Sequence, residues 1–396
     1  MPLALRERND YKSAMRGFYV HIPFCETRCH YCNFVTTAEH APDLGERFQK
    51  ALSHEIDQAR ARHGRLSFDT LYLGGGTPSC LSIPELERLV SGIQGAFELK
   101  PGYEFTCEMN PGDGDAGKIE TLRALGVNRV SLGCQAFQDE ILKKLGRRHT
   151  AREIEQTALN LRKAGITNLS FDLMLRLPGQ TLEDFRDSLR RCVALEAAQV
   201  SLYDLEVHEE TLFGRLAKEN KLDLSGEEEH ARMYESAIEI LTGADYEHYE
   251  VVNFAKPGLA SRHNLTYWHN QEYLGFGPSA FTYLNGIRSQ FAPDLERYLE
   301  KCENGDWKSD IEDVLTKEEK ETETFVTGLR LREGVIPQKF PLIYPRIGKR
   351  LAALRYEGLL EEAGEHTRFT LRGQLLSDDV FAFLLEKDTS SKTPLL

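Results

Sequence analysis

The sequence predicts an α/β fold: a partial (β/α)6 barrel followed by a smaller C-terminal helical, winged-helix-like domain. Three observations predict it. Six strand-like runs rich in Val, Leu, Phe and Tyr recur up to about residue 207, each followed by a helical stretch. Helix-start and helix-stop residues fall between those runs. Beyond residue 207 the alternation stops and charged helical segments take over. Alternating β and α units imply a parallel sheet with helices outside it.

In chain order, the strand-like runs are 18–23, 70–74, 104–109, 129–135, 169–177 and 200–207. Amphipathic segments separate them at 43–61, 83–97, 118–125, 151–164 and 182–197, and 227–242 reads as one more outer helix. Ser82 caps a helix whose first turn holds Pro84 and Glu85. Thr181, after Leu177-Pro178-Gly179-Gln180, reads as another cap. Gly126 and Gly165 stand where the preceding helices should stop. The second domain is expected over 291–396, after a barrel domain of 1–290. Its helical stretches are 294–302, 317–331, 346–361 and 378–385, with a strand and turn near 369–374. Packing and covering are its expected roles rather than DNA reading, since the chain is acidic and lacks a basic stripe. Residues 387–396 read as a frayed tail.

The chain has 396 residues, enough for one large domain and a smaller one. Hydrophobic content of 41% and charged content of 28% are those of a soluble globular protein. No run of about 18 apolar residues offers a membrane span. The first residues are charged too early for a signal-peptide core, so a cytoplasmic location is expected. A net charge of -13 argues against nucleic acid or an anionic membrane as the main partner. Cys80, Cys107, Cys134, Cys192 and Cys302 are scattered singly and read as small buried hydrophobes rather than disulfides.

The segment after the first strand carries the densest chemistry. Cys25, Cys29 and Cys32 form a C-x3-C-x2-C pattern, and the next cysteine is Cys80. So short a segment cannot bridge internally without strain. Clustered thiolates are the usual ligands of iron–sulfur clusters, normally four for a cubane. Three would leave one iron open, as catalytic zinc sites keep one position open. A plain loop, or a zinc site completed by a distant histidine, are the competing readings. The second strand runs into Gly74-Gly75-Gly76-Thr77, where main chain can close on a ligand. Glu108, Gln135 and Asp172 are polar groups in or at the ends of strands three to five, where barrels keep reactive residues. Glu108 needs a partner, since burying a carboxylate alone is costly. Arg147 offers a fork suited to a carboxylate. Farther on, His263, Tyr267 and Trp268 gather an imidazole and flat rings. That set suits a porphyrin, or simply packs the segment against the barrel.

The cysteine loop and its flank Tyr19-Val20-His21-Ile22-Pro23-Phe24 resemble the radical S-adenosylmethionine (SAM) superfamily. Within it, the stretch from about Tyr19 to Glu361 resembles the coproporphyrinogen dehydrogenase branch, and more closely its heme-chaperone (HemW) family. The resemblance implies a 4Fe–4S cluster on Cys25, Cys29 and Cys32, with SAM's amino and carboxylate groups on the fourth iron. It implies SAM contacts at Tyr19, Tyr31, Gly75, Gly76, Thr77, Glu108, Gln135, Arg147 and Asp172. Glu108 would meet a ribose hydroxyl, and one or two SAM molecules stay open. The pattern H-N-x-x-Y-W is characteristic of the heme-chaperone family and implies heme contact at His263, Tyr267 and Trp268. His21, His30, His149, His208 and His269 are further candidates for the axial ligand. Family members often have Gly where Arg176 stands, so a long charge is expected near the barrel mouth.

Three functions follow from the resemblance. One is heme binding and transfer to membrane or respiratory acceptor proteins. The others are oxygen-independent coproporphyrinogen III oxidation and SAM-dependent methylation. All share reductive cleavage of SAM. Dehydrogenases of the branch typically carry another cysteine two positions beyond the third ligand, where this chain has Phe34. They also have a long N-terminal arm, for which the 24 residues before Cys25 are too few. Both features favour the heme-chaperone type. The physiological need for SAM turnover and the formation of a homodimer are not legible in the chain.

Overall fold

The computed structural model describes residues 15–38 and 43–386. The charged N-terminal residues and the expected tail at 387–396 lie outside the described residues. Parallel strands β1 (Arg16–Ile22), β2 (Ser67–Gly75), β3 (Glu98–Met109), β4 (Arg129–Gln135), β5 (Asn168–Leu175) and β6 (Gln199–Asp204) stand side by side in chain order. Helices α1 (Leu44–His63), α2 (Ile83–Ala96), α3 (Ala116–Ala124), α4 (Asp139–Lys144), α5 (Ala151–Lys163) and α6 (Leu182–Ala194) connect them. Thr150 and Glu153 close a reciprocal cap at the start of α5, and Thr181 with Asp184 does the same for α6. Gly126 and Gly165 end their helices at φ 101° and 90°, a region costly for other residues. The strand β3 begins at Glu98, ahead of the expected 104, because its pairing with β2 resumes across an irregularity between Phe68 and Thr70.

After β6 come α7 (Leu212–Lys218), α8 (Glu227–Gly243), β7 (Glu247–Glu250), β8 (Asn253–Ala255) and α9 (Arg262–Trp268). Then follow β9 (Glu272–Phe276), β10 (Phe281–Leu284), β11 (Ile287–Gln290), α10 (Leu295–Asn304) and β12 (Ile311–Val314). The strand β9 pairs parallel with β1, and β10 to β12 continue antiparallel from it. At the other side β8 pairs antiparallel with β6. The sheet is therefore open, with β12 and β7 at its ends.

Strand periodicity divides the residues between two faces. Phe18, Val20 and Ile22 on β1, and Leu71 and Leu73 on β2, are all fully buried in the layer beneath the helices. Phe18 stacks on Phe276 of β9 at 4.6 Å and meets Phe68 edge-on at 5.1 Å. The alternate positions put polar side chains in the lumen, among them Tyr19, Tyr72, Glu108, Ser131 and Asp172.

Two compact units divide the chain. The first runs to Val314, excluding 249–251 and 268–270. Residues 291–314 thus group with the barrel, although the expected division stood at 290. The reason is α10, whose buried Tyr298 meets Phe48 of α1 at 6.0 Å and donates to Glu55 at 2.8 Å. The second unit contains α11 (Lys317–Leu329), α12 (Tyr344–Tyr356), the hairpin β13 (Leu360–Ala363) and β14 (His366–Phe369), α13 (Leu371–Leu375) and α14 (Ser377–Leu385). Phe325, Leu329, Leu351, Leu354 and Val380 form its core. Helices followed by a hairpin give the winged-helix-like outline. Among the described residues no helix is long and apolar enough to cross a membrane.

Candidate cluster and cofactor site

The cysteine loop leaves β1 at Pro23 and is pinned at both ends. Cys25 N–H donates to Thr37 O at 3.0 Å and Thr37 N–H to Pro23 O at 2.7 Å. His30 N–H donates to Leu145 O at 3.0 Å, and its ring Nδ1 meets Lys144 O at 2.8 Å. The glycine loop after β2 packs directly beneath. Gly76 N–H donates to Ile22 O and Thr77 N–H to Phe24 O, both at 2.7 Å. A β-carbon on Gly75 would stand 2.7 Å from the His21 ring, so the loop passes where only glycine fits.

Cys25, Cys29 and Cys32 are half-buried and line one cavity of about 740 Å³. Burial pushes the Cys25 and Cys32 thiols up. A polar circuit links two of the sulfurs. Thr77 Oγ1 donates to Cys25 Sγ at 3.5 Å and accepts from Asn110 Nδ2 at 3.1 Å. Arg147 donates to Asn110 Oδ1 at 2.6 Å, to Gly133 O at 2.6 Å and to Cys29 Sγ at 3.4 Å. Sequence reasoning missed Asn110; its place after Glu108-Met109 and before Pro111-Gly112, at a strand end, was the available signal.

Tyr31, Gly75, Gly76, Thr77, Glu108, Gln135, Arg147 and Asp172 line the same cavity. Glu108 accepts from Tyr72 Oη at 2.7 Å and from Gly75 N–H at 3.1 Å. Burial raises it to about 7 against those bonds. Asp172 accepts from Ser131 Oγ at 3.0 Å, and burial raises it to about 6 although Arg129 opposes. Two carboxyls poised near neutrality can each accept from, or donate to, ligand hydroxyls. Gln135 ends β4 at φ 64°, after a register shift between Leu132 and Gln135 that turns the strand end toward the cavity. Tyr19 is absent from this wall; it lines a second cavity of about 500 Å³ together with His21, Gly75 and Glu108. Arg176 directly follows the end of β5 and lines neither cavity. Its φ of 59° lies in the left-handed region that glycine adopts without strain.

The lumen is plugged by α9. Glu104 accepts from the backbone N–H of Arg262 and of His263, each at 3.0 Å, which fixes the helix start. His263 is 1% exposed. Its Nδ1 meets Thr70 Oγ1 at 2.7 Å, its Nε2 meets Tyr267 Oη at 2.9 Å, and its ring stacks on Tyr72 at 4.8 Å. Burial lowers it to about 3, so it is a neutral imidazole. Tyr267 lines the second cavity, whereas Trp268 belongs to the second unit, beneath the Arg330 guanidinium at 4.4 Å. Of the other histidines, His149 and His208 line the first cavity, and His149 Nε2–H donates to Cys134 O at 3.2 Å.

Comparison with known proteins decides the family. The model of the radical SAM superfamily matches residues 19–192. The heme chaperone HemW of Bacillus subtilis (strain 168) is 37% identical, over 94% of this chain and 100% of its own. HemW of Escherichia coli (strain K12) is 30% identical, over 93% and 98%. This chain belongs to the HemW family of radical SAM proteins. Membership brings a 4Fe–4S cluster and SAM as its cofactors, and the donors present fit them: three thiols share one wall, and polar groups surround the adjoining space. Coproporphyrinogen III oxidase (HemN) from Escherichia coli shares the fold, with a TM-score of 0.82 over 94% of this chain and 90% of that one at 23% identity.

Proposed function

We propose that this HemW-family protein binds heme and passes it to acceptor proteins, with Cys25, Cys29 and Cys32 holding the cluster beside a SAM site. The observation that carries the reading is the three-thiol wall, with Arg147 and Thr77 donating to its sulfurs, in a chain that matches a heme chaperone over 94% of its length. When bound, the cluster supplies the electron that reductive cleavage of SAM needs. Hydrogen bonds from Arg147 and Thr77 to sulfur stabilise the more negative, reduced charge state of such a group. Glu108, Gln135 and Asp172 would hold SAM through its hydroxyl and amino groups, with Tyr31 in the same wall. The neighbouring carboxyls, raised by burial, avoid placing two full negative charges in one lumen.

The test is anaerobic reconstitution with iron and sulfide, followed by optical titration with heme. A saturable Soret band on protein that also carries a cluster is the expected result. Cys29→Ala should keep its far-ultraviolet spectrum and lose cluster absorption; unchanged iron content would remove the assignment. Failure to bind heme, with coproporphyrinogen consumed in the presence of SAM and reductant, would make the protein a decarboxylating enzyme instead.

A further inference from the structure

Asn110 stands just past the end of β3, between the two donors that reach the cysteine sulfurs. Its carboxamide touches both: Oδ1 lies 2.6 Å from Arg147 Nη2, and Nδ2 lies 3.1 Å from Thr77 Oγ1. A carboxamide can turn over and exchange its two ends, so the chemistry of its neighbours decides which way it faces. Arg147 settles the matter. A guanidinium has only donors, so the amide oxygen must face it and the amide nitrogen must face Thr77. Thr77 Oγ1 then has to accept from that N–H. Its own hydrogen is turned away from Asn110, and Cys25 Sγ receives it at 3.5 Å.

The same amide holds the second donor. Arg147 Nη2 is gripped by Asn110 Oδ1 and by Gly133 O, each at 2.6 Å, which leaves Nη1 on Cys29 Sγ at 3.4 Å. Gly133 gives this meeting its room: a β-carbon there would stand 3.0 Å from Arg147 Nη2 and 3.5 Å from Asn110 Oδ1. The order is amide to donor and donor to sulfur, from one side chain to two cysteines.

We propose that Asn110 is a positioning residue that aims both sulfur donors and so sets the reduction potential of the cluster held by Cys25, Cys29 and Cys32. The proposal rests on the cluster-holding reading above. Hydrogen bonds to sulfur tune such potentials, because they favour the more negative, reduced state. A threonine hydroxyl left alone rotates to suit any acceptor. With an amide N–H against its oxygen, Thr77 is confined to donating on the sulfur side.

The experiment measures the midpoint potential of the reconstituted full-length protein by anaerobic redox titration, following the reduced cluster by electron paramagnetic resonance. Asn110→Leu keeps the size of the side chain and removes both contacts. Its potential should fall by about 59 mV, the one-electron equivalent of the roughly ten-fold change that losing one hydrogen bond to a charged group brings. Asn110→Ser, too short to reach either donor, should fall likewise, and it carries the test where the leucine variant fails to fold. Thr77→Val should also lower the potential, and adding Asn110→Leu to it should lower it by less than in the wild-type background. On Thr77→Ser, which keeps the hydroxyl, the full effect of Asn110→Leu should return. A side chain that only packs the loop would change melting temperature and iron content without this dependence on the hydroxyl. Wild-type protein that takes up no cluster would overturn the cluster reading itself. Cluster-loaded Asn110→Leu with the wild-type potential, or equal falls on Thr77→Val and Thr77→Ser, would overturn the role of Asn110 and leave that reading standing.

Discussion

A β-carbon on Gly76 would stand 2.6 Å from Phe24 O, 2.8 Å from Ile22 O and 3.1 Å from Cys25 Sγ. Two of those neighbours are backbone and cannot swing aside, so Gly76→Ala must push the cysteine loop off the glycine loop. Overpacking of that kind costs about 1–3 kcal/mol. Lower iron per chain after reconstitution, with a lower melting temperature, is the expected outcome; normal values for both would show that the loops are not in contact. Arg176 presents the opposite case. It holds φ 59°, and its Nε is buried without a hydrogen-bond partner. A side chain in the left-handed region costs about 1–2 kcal/mol, part of which glycine returns through its larger unfolded-state entropy. Arg176→Gly should therefore gain about 1 kcal/mol, a rise of about 2 °C in melting temperature; a loss of stability would mean that the guanidinium makes a compensating contact. The cysteines and glycines were legible because their chemistry is local. The engagement of His263 was not, since its partner Thr70 lies 193 residues away in the chain.

Helix α1 is fastened to the sheet extension through one carboxyl. Glu55 Oε2 accepts from Gly277 N–H at 2.9 Å and from Tyr298 Oη at 2.8 Å, joining α1 to the end of β9 and to α10. Burial raises Glu55 to about 8, whereas the unfolded chain holds a glutamate near about 4.3. Between those values the folded state keeps a proton that the unfolded state has lost. Stability attached to this group is therefore complete below about pH 4.3 and declines as pH rises through about 8. Glu55→Gln carries no such proton. Relative to wild type it should gain on the order of 2–4 kcal/mol between pH 5 and pH 9, read from urea midpoints at the two pH values; parallel pH profiles would show that Glu55 is ionised throughout. The six parallel strands were readable because their apolar positions alternate over several residues with capped helices between. The strand β9 and helix α9 were not, because each is short and its pairing or packing is set by β1, β3 and Thr70, far away in sequence. The second domain's edge was placed early for a related reason: the charged face of α10 hides the few residues that bury it against α1.

At the scale of the molecule, every residue lining either cavity lies in the first unit. The second unit has its own apolar core, with Phe325 meeting Phe340 at 5.3 Å and Phe369 meeting Phe381 at 5.6 Å. Ligand binding should therefore stabilise one unit directly and leave the other to its own core. The sequence supplies a separate reporter for each, since its 2 tryptophans fall on opposite sides of the division. Trp307 stacks on Phe291 at 5.8 Å within the first unit, and Trp268 lies under Arg330 within the second. Trp268→Phe leaves emission from the first unit alone, and Trp307→Phe leaves emission from the second. SAM at about a hundred times its dissociation constant adds about 2.7 kcal/mol to whatever folds around it. On cluster-loaded protein, the Trp307 transition should move upward with SAM while the Trp268 transition stays. Combining each tryptophan variant with Cys29→Ala should abolish the shift, because the cluster proposed for the three cysteines is then missing. Equal movement of both transitions would mean that the two units melt as one cooperative body, and the stability gained at the cavity would then be shared along the whole chain.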